Sequence, residues 1–343
     1  MIRKHFGDAF EGTLETSQGR ACDSCSDLFN TMMLRELHRP LRILTFGEFA
    51  RDALGAHSTG DILAVFRRSF YIHLGPYALC LGPAGIGKGP INIITQTHGD
   101  IEWPQLGLMQ HQPVSVSRNA IDVAGRIRFD FTGADIWRPP SPPKFSSDTL
   151  RAGLKQLFES ALRRSPGGLG ATLTVPHTLA EWPDSVDDPL LRLARTPICD
   201  VAAWISGTLA GKSVPLPPSI ENLIGLGPGL TPSGDDFIGG MMVALHYLGF
   251  AETAAAIADA VLPIASRDTN AISAQFLRCA AVGQAASTLF DVLEAILTGD
   301  SLEAGLDAIN AIGHTSGWDS LAGAALVCTA FSGLEEAALT EQR

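Results

Sequence analysis

The sequence predicts an α+β protein, with a β-rich amino-terminal domain followed by an all-α helical carboxy-terminal domain. Three observations carry this. Between Ile62 and Trp137, short runs rich in β-branched and aromatic residues are separated by Gly, Pro, Asn or Asp. From Asp187 onward the apolar residues recur at helical spacing. Between the two lies RPPSPPK, residues 138–144, which can continue neither ladder nor helix and reads as a linker.

Taken in order, residues 1–40 are polar and poorly periodic, an extension expected to be disordered, with Met32 or Met33 as alternative starts. The β-rich domain is placed at 41–138, where SFYIHL, YALCL, INIIT, VSVS and RIRFDF predict the strands of a mixed or barrel-like sheet. A linker and connecting helix occupy 139–185. Ser147 and Asp148 offer caps for a helix through Arg164, which SPGGLG then ends. The helical domain, 186–343, predicts helices at about 190–210, 234–249, 251–265, 269–283, 285–298, 301–312 and 317–332. Alanines at 254–256, 258 and 260, and the small residues 322–325, let helix axes approach closely, as in a tight bundle.

Composition excludes several classes. At 343 residues, 45% hydrophobic and 18% charged, the chain can bury a sizeable core. A net charge of −11 argues against nucleic acid or an anionic membrane as partner, because both call for clustered Lys and Arg. The most apolar stretch, 241–265, is broken by His246, Glu252, Asp259 and Pro263 and cannot span a bilayer. No amino-terminal stretch combines a basic head, an apolar run and a cleavage site, so the expected location is the cytoplasm. The six cysteines are scattered apart from Cys22 and Cys25, whose lone C-x-x-C lacks a second pair at zinc-finger spacing and reads as incidental.

The densest signal is GLGPGLTPSGDDFIGG, residues 225–240. A second segment, GHTSGWDSLAG at 313–323, aligns with it so that Ser233-Gly234 falls on Ser316-Gly317, Asp236 on Asp319 and Gly240 on Gly323. In each, a Ser-Gly pair precedes an acid and a small, apolar stretch, the look of a helix start with an N-cap hydroxyl and first-turn acids. Capping alone explains the serines and acids. It does not explain Gly225, Gly227, Gly229 and Gly234 together, which point to positive φ angles or close approach of a backbone or ligand. Gly227, Gly229, Thr231, Ser233, Gly234, Ser316 and Gly317 are therefore candidates for binding a substrate or anion at two helix starts facing one cavity.

Residues 82–90, GPAGIGKGP, fit G-x-x-x-x-G-K, yet Gly89 stands where a P-loop needs Ser or Thr, and the strand-like INIIT follows in place of a helix. An ordinary P-loop is rejected. Gly87, Lys88 and Gly89 read equally well as an anion-holding turn or as a glycine-rich turn with a solvated lysine.

The acids constrain the ligand. Against a bare phosphate at the Ser233 helix start, one close carboxylate costs up to ~4 kcal/mol at an effective dielectric of 20, while the helix dipole returns at most ~2 kcal/mol. Asp235 and Asp236 instead suit a hydrogen-bond donor such as an amide or carbamoyl NH2, or Mg2+ bridging to an anion. Adjacent helical residues diverge, so one of the two reads as a cap. His314 can orient a substrate or move a proton, although a loop histidine before a helix is more often a surface or capping residue. Asp319 shares that ambiguity and the match to Asp236. Asp235, Asp236, His314 and Asp319 are thus the catalytic candidates, and Arg267-Asp268-Thr269-Asn270 is a polar island that can reach the same place. No GxSxG, HExxH or Ser-His-Asp order appears.

With GIGKGPINI upstream and GHTSGWDSLAG downstream of GLGPGLTPSGDDFIGG, residues 45–335 resemble the AllH subunit family of oxamate carbamoyltransferase. The resemblance implies a multi-subunit, cytoplasmic complex that converts oxalurate and phosphate to oxamate and carbamoyl phosphate in allantoin-type nitrogen catabolism. Two other classes compete. A non-catalytic assembly subunit would use the glycine loops for packing against partner chains. A Mg2+-dependent phosphotransferase would use Asp235 and Asp236 as metal ligands near Lys88.

Overall fold

The computed structural model describes residues 39–97, 101–174 and 187–341. The extension 1–38, with Cys22, Cys25 and both alternative starts, lies outside the described residues. Residues 41–343 form one compact unit, so the β-rich and helical regions pack as a single body.

The β-rich region is a closed barrel. Its strands are β1 (Leu41–Gly47), β2 (Thr59–Val65), β3 (Phe70–Leu74), β4 (Tyr77–Pro83), β5 (Asn92–Thr95), β6 (Pro113–Val116), β7 (Ala120–Val123), β8 (Ile127–Asp130) and β9 (Asp135–Trp137). The order runs β5-β4-β3-β2-β6-β7-β8-β1, and pairing of β1 with β5 closes the ring. β9 pairs with the second half of β1, beyond the residues that meet β8. Alternation decides what lies inside. Phe70, Ile72 and Leu74 are fully buried, and Phe70 packs edge-on against Trp103 with centroids 5.0 Å apart, so Tyr71 and His73 point outward.

The strand-like runs read from the sequence leave out five pieces of the barrel region: β1, the helix α1 (Glu48–Ala56), β2, β7 and β9. β1 and β7 mix polar with apolar residues, and their strand state depends on long-range pairing rather than on local pattern. The GIGKGP segment is a short 3-10 turn, Ala84–Ile86, and a loop joining the parallel strands β4 and β5. Asn92 Nδ2 closes the loop on Gly87 O at 2.9 Å.

The helices are α2 (Ser147–Arg164), α3 (Pro189–Leu209), α4 (Ser233–Tyr247), α5 (Ala251–Asp268), α6 (Ala271–Ala280), α7 (Ser287–Thr298), α8 (Glu303–Asn310) and α9 (Ser316–Glu341). These match the spans that apolar spacing predicts to within a few residues, except that α9 runs further. The cap of α2 is Ser146, one residue earlier than expected, because Ser146 and Thr149 form a reciprocal capping box that Ser147 cannot. α4 and α9 form the centre of the helical core. Their axes approach so closely that a Cβ at Gly240 would lie 1.8 Å from Ser320 O, and one at Gly323 would lie 1.9 Å from Phe237 O. Around them Ile238, Met241, Leu321 and Ala324 are fully buried.

The barrel meets the helices along α7 and the loop before it. Lys88 O accepts from Ser287 N at 2.8 Å, Gln284 Nε2 donates to Glu48 Oε2 at 3.0 Å, and the Trp137 ring lies 6.3 Å from Phe290. No helix among the described residues is long and apolar enough to cross a membrane.

Candidate functional site

The first repeat folds as a tight loop running into α4. Gly225, Gly227 and Gly229 all take positive φ, 71°, 111° and 105°, which explains three of the four glycines. Gly234 has another reason: a Cβ there would lie 1.9 Å from Leu223 O. The expected N-cap hydroxyl is corrected, because α4 is preceded by Pro232 with no side-chain cap, and Ser233 is the first helical residue. Ser316 likewise opens α9.

Asp235 is the structural acid of the pair. It is 2% exposed. Its Oδ1 accepts from Gly225 N at 2.7 Å, and its Oδ2 accepts from Thr269 Oγ1 at 2.5 Å and Ser273 Oγ at 2.6 Å. Asn270 of the same polar island donates to Leu230 O at 2.6 Å, so the island pins the loop from behind. With both Asp235 oxygens engaged, the adjacent acids do not offer Mg2+ two free ligands, and no group of three His, Cys, Asp or Glu among the described residues is arranged to hold a metal. The donor set does not fit Mg2+ at Asp235 and Asp236.

Asp236 is different. It keeps some surface on a cavity of about 480 Å3, while its Oδ2 is inaccessible and has no hydrogen-bond partner. Burial pushes its carboxyl well above the usual carboxylate range, toward the neutral acid, and Asp319 and Asp235 add to the rise. The Thr231 and Ser316 hydroxyls flank it and oppose the rise, and they are bonded to each other at 2.6 Å across the two repeats. Asp319, fully buried, is also raised by burial, against the opposing pull of Thr315, Ser233 and the amides of Gly170 and Leu169.

The cavity is enclosed by loop, helices and barrel together. Gly229, Thr231, Asp236, His314, Ser316 and Gly317 are the sequence-predicted residues on its wall besides Asp235. Gly227, Ser233, Gly234 and Asp319 are not; they build the loop and the helix seam behind it. Gly87, Lys88 and Gly89 lie outside the lining as well. Their turn abuts the cavity wall, since Gly89 packs beside Ala286 and Ala286 lines the cavity. The Lys88 side chain is exposed. So is His314, at the mouth.

Sequence reasoning missed Tyr71, Gln284, Thr315 and Ser320, and the apolar wall of Phe276 and Leu289. Tyr71 was legible in part: in a strand whose alternate residues fill a barrel, it must face outward. That it shares a cavity wall with Asp236 depends on how barrel and helices dock. Burial pushes its phenol well up, with Cys80 and then Asp236 adding to the rise.

The class of protein is thus a barrel-and-helix α+β protein in which a duplicated helix start brings two acids to one helix seam, one of them beside a small cavity. The family model described as oxamate carbamoyltransferase subunit AllH matches residues 223–328, a stretch that holds both repeats, all of α4 and the first half of α9. That stretch, less than a third of the chain, is similar to AllH-family sequences; the barrel lies outside the matched residues. No solved structure matches the chain.

Proposed function

We propose that this chain is a subunit of a carbamoyltransferase complex of the oxamate type, and that the cavity beside Asp236 receives the carbamoyl-bearing molecule. The observation that carries this is the Asp236 carboxyl itself. It is held toward its neutral form on the wall of a cavity that has no Lys or Arg among its described lining residues. Such a place favours an uncharged, hydrogen-bonding group such as carbamoyl over a bare anion. The AllH match supplies the reaction class, and phosphorolysis of oxalurate to oxamate and carbamoyl phosphate is the specific reaction proposed.

In that reaction a phosphate oxygen bonds to the carbamoyl carbon, the bond from that carbon to the oxamate nitrogen breaks, and the nitrogen gains a proton. The chain's share is positioning and charge stabilisation, without a covalent intermediate. Asp236, Thr231 and Ser316 orient the carbamoyl group, and His314 stands at the mouth where a substrate enters. We assign the anion-holding role to the Lys88 turn, exposed beside the same wall.

The test is the assembled complex with Asp236→Asn in this chain. Turnover should fall by about a hundredfold or more while assembly is kept. Full activity would refute the proposal. Unchanged turnover in Asp236→Asn, combined with loss of assembly on disturbing the glycine loops, would return the chain to a purely structural role.

A further inference from the structure

The two repeats are related in space as well as in sequence. Ser233 and Ser316, Asp236 and Asp319, Phe237 and Ser320, and Gly240 and Gly323 are each 83 residues apart. Across the seam, Gly240 faces Ser320 and Gly323 faces Phe237, the same contact with the partners exchanged. The serines on the acids obey the same exchange: Asp236 is flanked by Ser316 of the other repeat and Asp319 by Ser233 of the other, while Thr231 and Thr315, which are not mates, flank them from their own loops. The helix pair therefore has an internal twofold relation, with one acid half-site on each face.

The two half-sites differ in what covers them. On Asp319, the 3-10 segment Gly168–Thr174 lies over the carboxyl, and Gly170 N donates to Asp319 Oδ1 at 3.1 Å. A Cβ at Gly168 would lie 2.4 Å from that same oxygen, so only glycine lets the chain come so near. On Asp236 nothing of the kind is present among the described residues. Phe237, Ala322 and Leu326 line a second cavity, of about 950 Å3, whose wall does not include Asp319, while their mates Ser320, Gly239 and Val243 line the cavity whose wall includes Asp236.

We infer that the Gly170 amide on Asp319 is the chain's own counterpart of the ligand on Asp236, and that Asp236 therefore accepts an N–H from an amide or carbamoyl group of the substrate. This rests on the cavity being the ligand site. A neutral carboxyl still accepts an N–H at its carbonyl oxygen, and Asp319 accepts one from Gly170 at Oδ1. The ligand class that follows is a planar amide presenting N–H to Asp236, with its remaining polar atoms toward Thr231 and Ser316.

The test is calorimetry on the full chain with two probes of equal charge and nearly equal shape, N-methyloxamate and monomethyl oxalate, which differ in one N–H replaced by oxygen. The amide should bind at least about tenfold more tightly, since the ester leaves the acceptor unpaired and sets two oxygens against each other. Binding of the amide should be lost in Gly239→Leu, which fills the cavity from its wall. Equal binding of amide and ester, both lost in Gly239→Leu, would overturn the N–H assignment and leave the cavity as a ligand site. Amide binding that survives Gly239→Leu would place the ligand elsewhere and overturn the inference. Absence of binding by either probe would overturn it together with the cavity's role.

Discussion

Gly240 and Ser320 touch backbone to backbone: a Cβ on Gly240 would sit 1.8 Å from the Ser320 carbonyl oxygen, inside any possible contact distance. Neither helix can move away without opening the core on which both acids stand. Gly240→Ala and Gly323→Ala are each predicted to destabilise the chain by about 3 kcal/mol or more, through forced separation of packed helices. Gly239→Ala, one residue away, meets only the Ala280 Cβ at 3.7 Å. It should be neutral or stabilise by up to about 1 kcal/mol, because alanine is the better helix former. Chemical denaturation of the three variants separates these outcomes.

Asp235 is predicted to matter for stability before it matters for chemistry. Asp235→Ala strands Gly225 N, Thr269 Oγ1 and Ser273 Oγ, and should cost about 3–5 kcal/mol. Asp235→Asn keeps one acceptor and should cost less. A loss below about 1 kcal/mol in Asp235→Ala would show that the loop holds itself.

Stability should carry a pH signature from Asp236. Its folded pKa is raised, so the native state holds the proton more tightly than the unfolded chain does. Its contribution is fully present below the ordinary aspartate value of about 3.9 and is lost as pH rises through the folded value. Asp236→Asn removes that loss. The variant should therefore gain on the wild type as pH rises from about 4, by about 1.4 kcal/mol for each unit by which the folded pKa is raised. Thermal unfolding between about pH 4 and 8 tests this, and a difference that does not change with pH would mean that Asp236 ionises like a surface acid.

Lys88 gives a split prediction. Its side chain is exposed, so Lys88→Ala should change stability by less than about 0.5 kcal/mol. If the turn holds phosphate, the same variant raises the phosphate KM of the assembled complex and leaves binding of amide ligands in the cavity untouched. Unchanged phosphate kinetics would reduce the turn to its backbone role, the bond from Ser287 N to Lys88 O.

Much of this was legible in the sequence because the signals were local. Gly225, Gly227 and Gly229 announced positive φ, and the shared spacing of Asp236 and Asp319 announced the duplicated helix start. Helix spans followed from apolar period. What was illegible depends on distance along the chain. That Asp235 rather than Asp236 is the structural acid is decided by Thr269 and Ser273, more than thirty residues on. That Tyr71 shares a cavity wall with Asp236 is decided by docking of barrel on helices, and that Gly170 occupies Asp319 is decided by a segment 149 residues away from it. The strand β1 needed partners in both β5 and β8 to be a strand at all.

The most direct test of the central claim is thermal unfolding of the purified full chain with oxamate, oxalurate or carbamoyl phosphate, compared with Mg2+-ATP. A ligand of the cavity should stabilise the fold by ~2.7 kcal/mol at a hundredfold excess over its dissociation constant, and Gly239→Leu should abolish the effect. No rise with any of the carbamoyl or amide compounds, or a rise with Mg2+-ATP alone, would contradict the account.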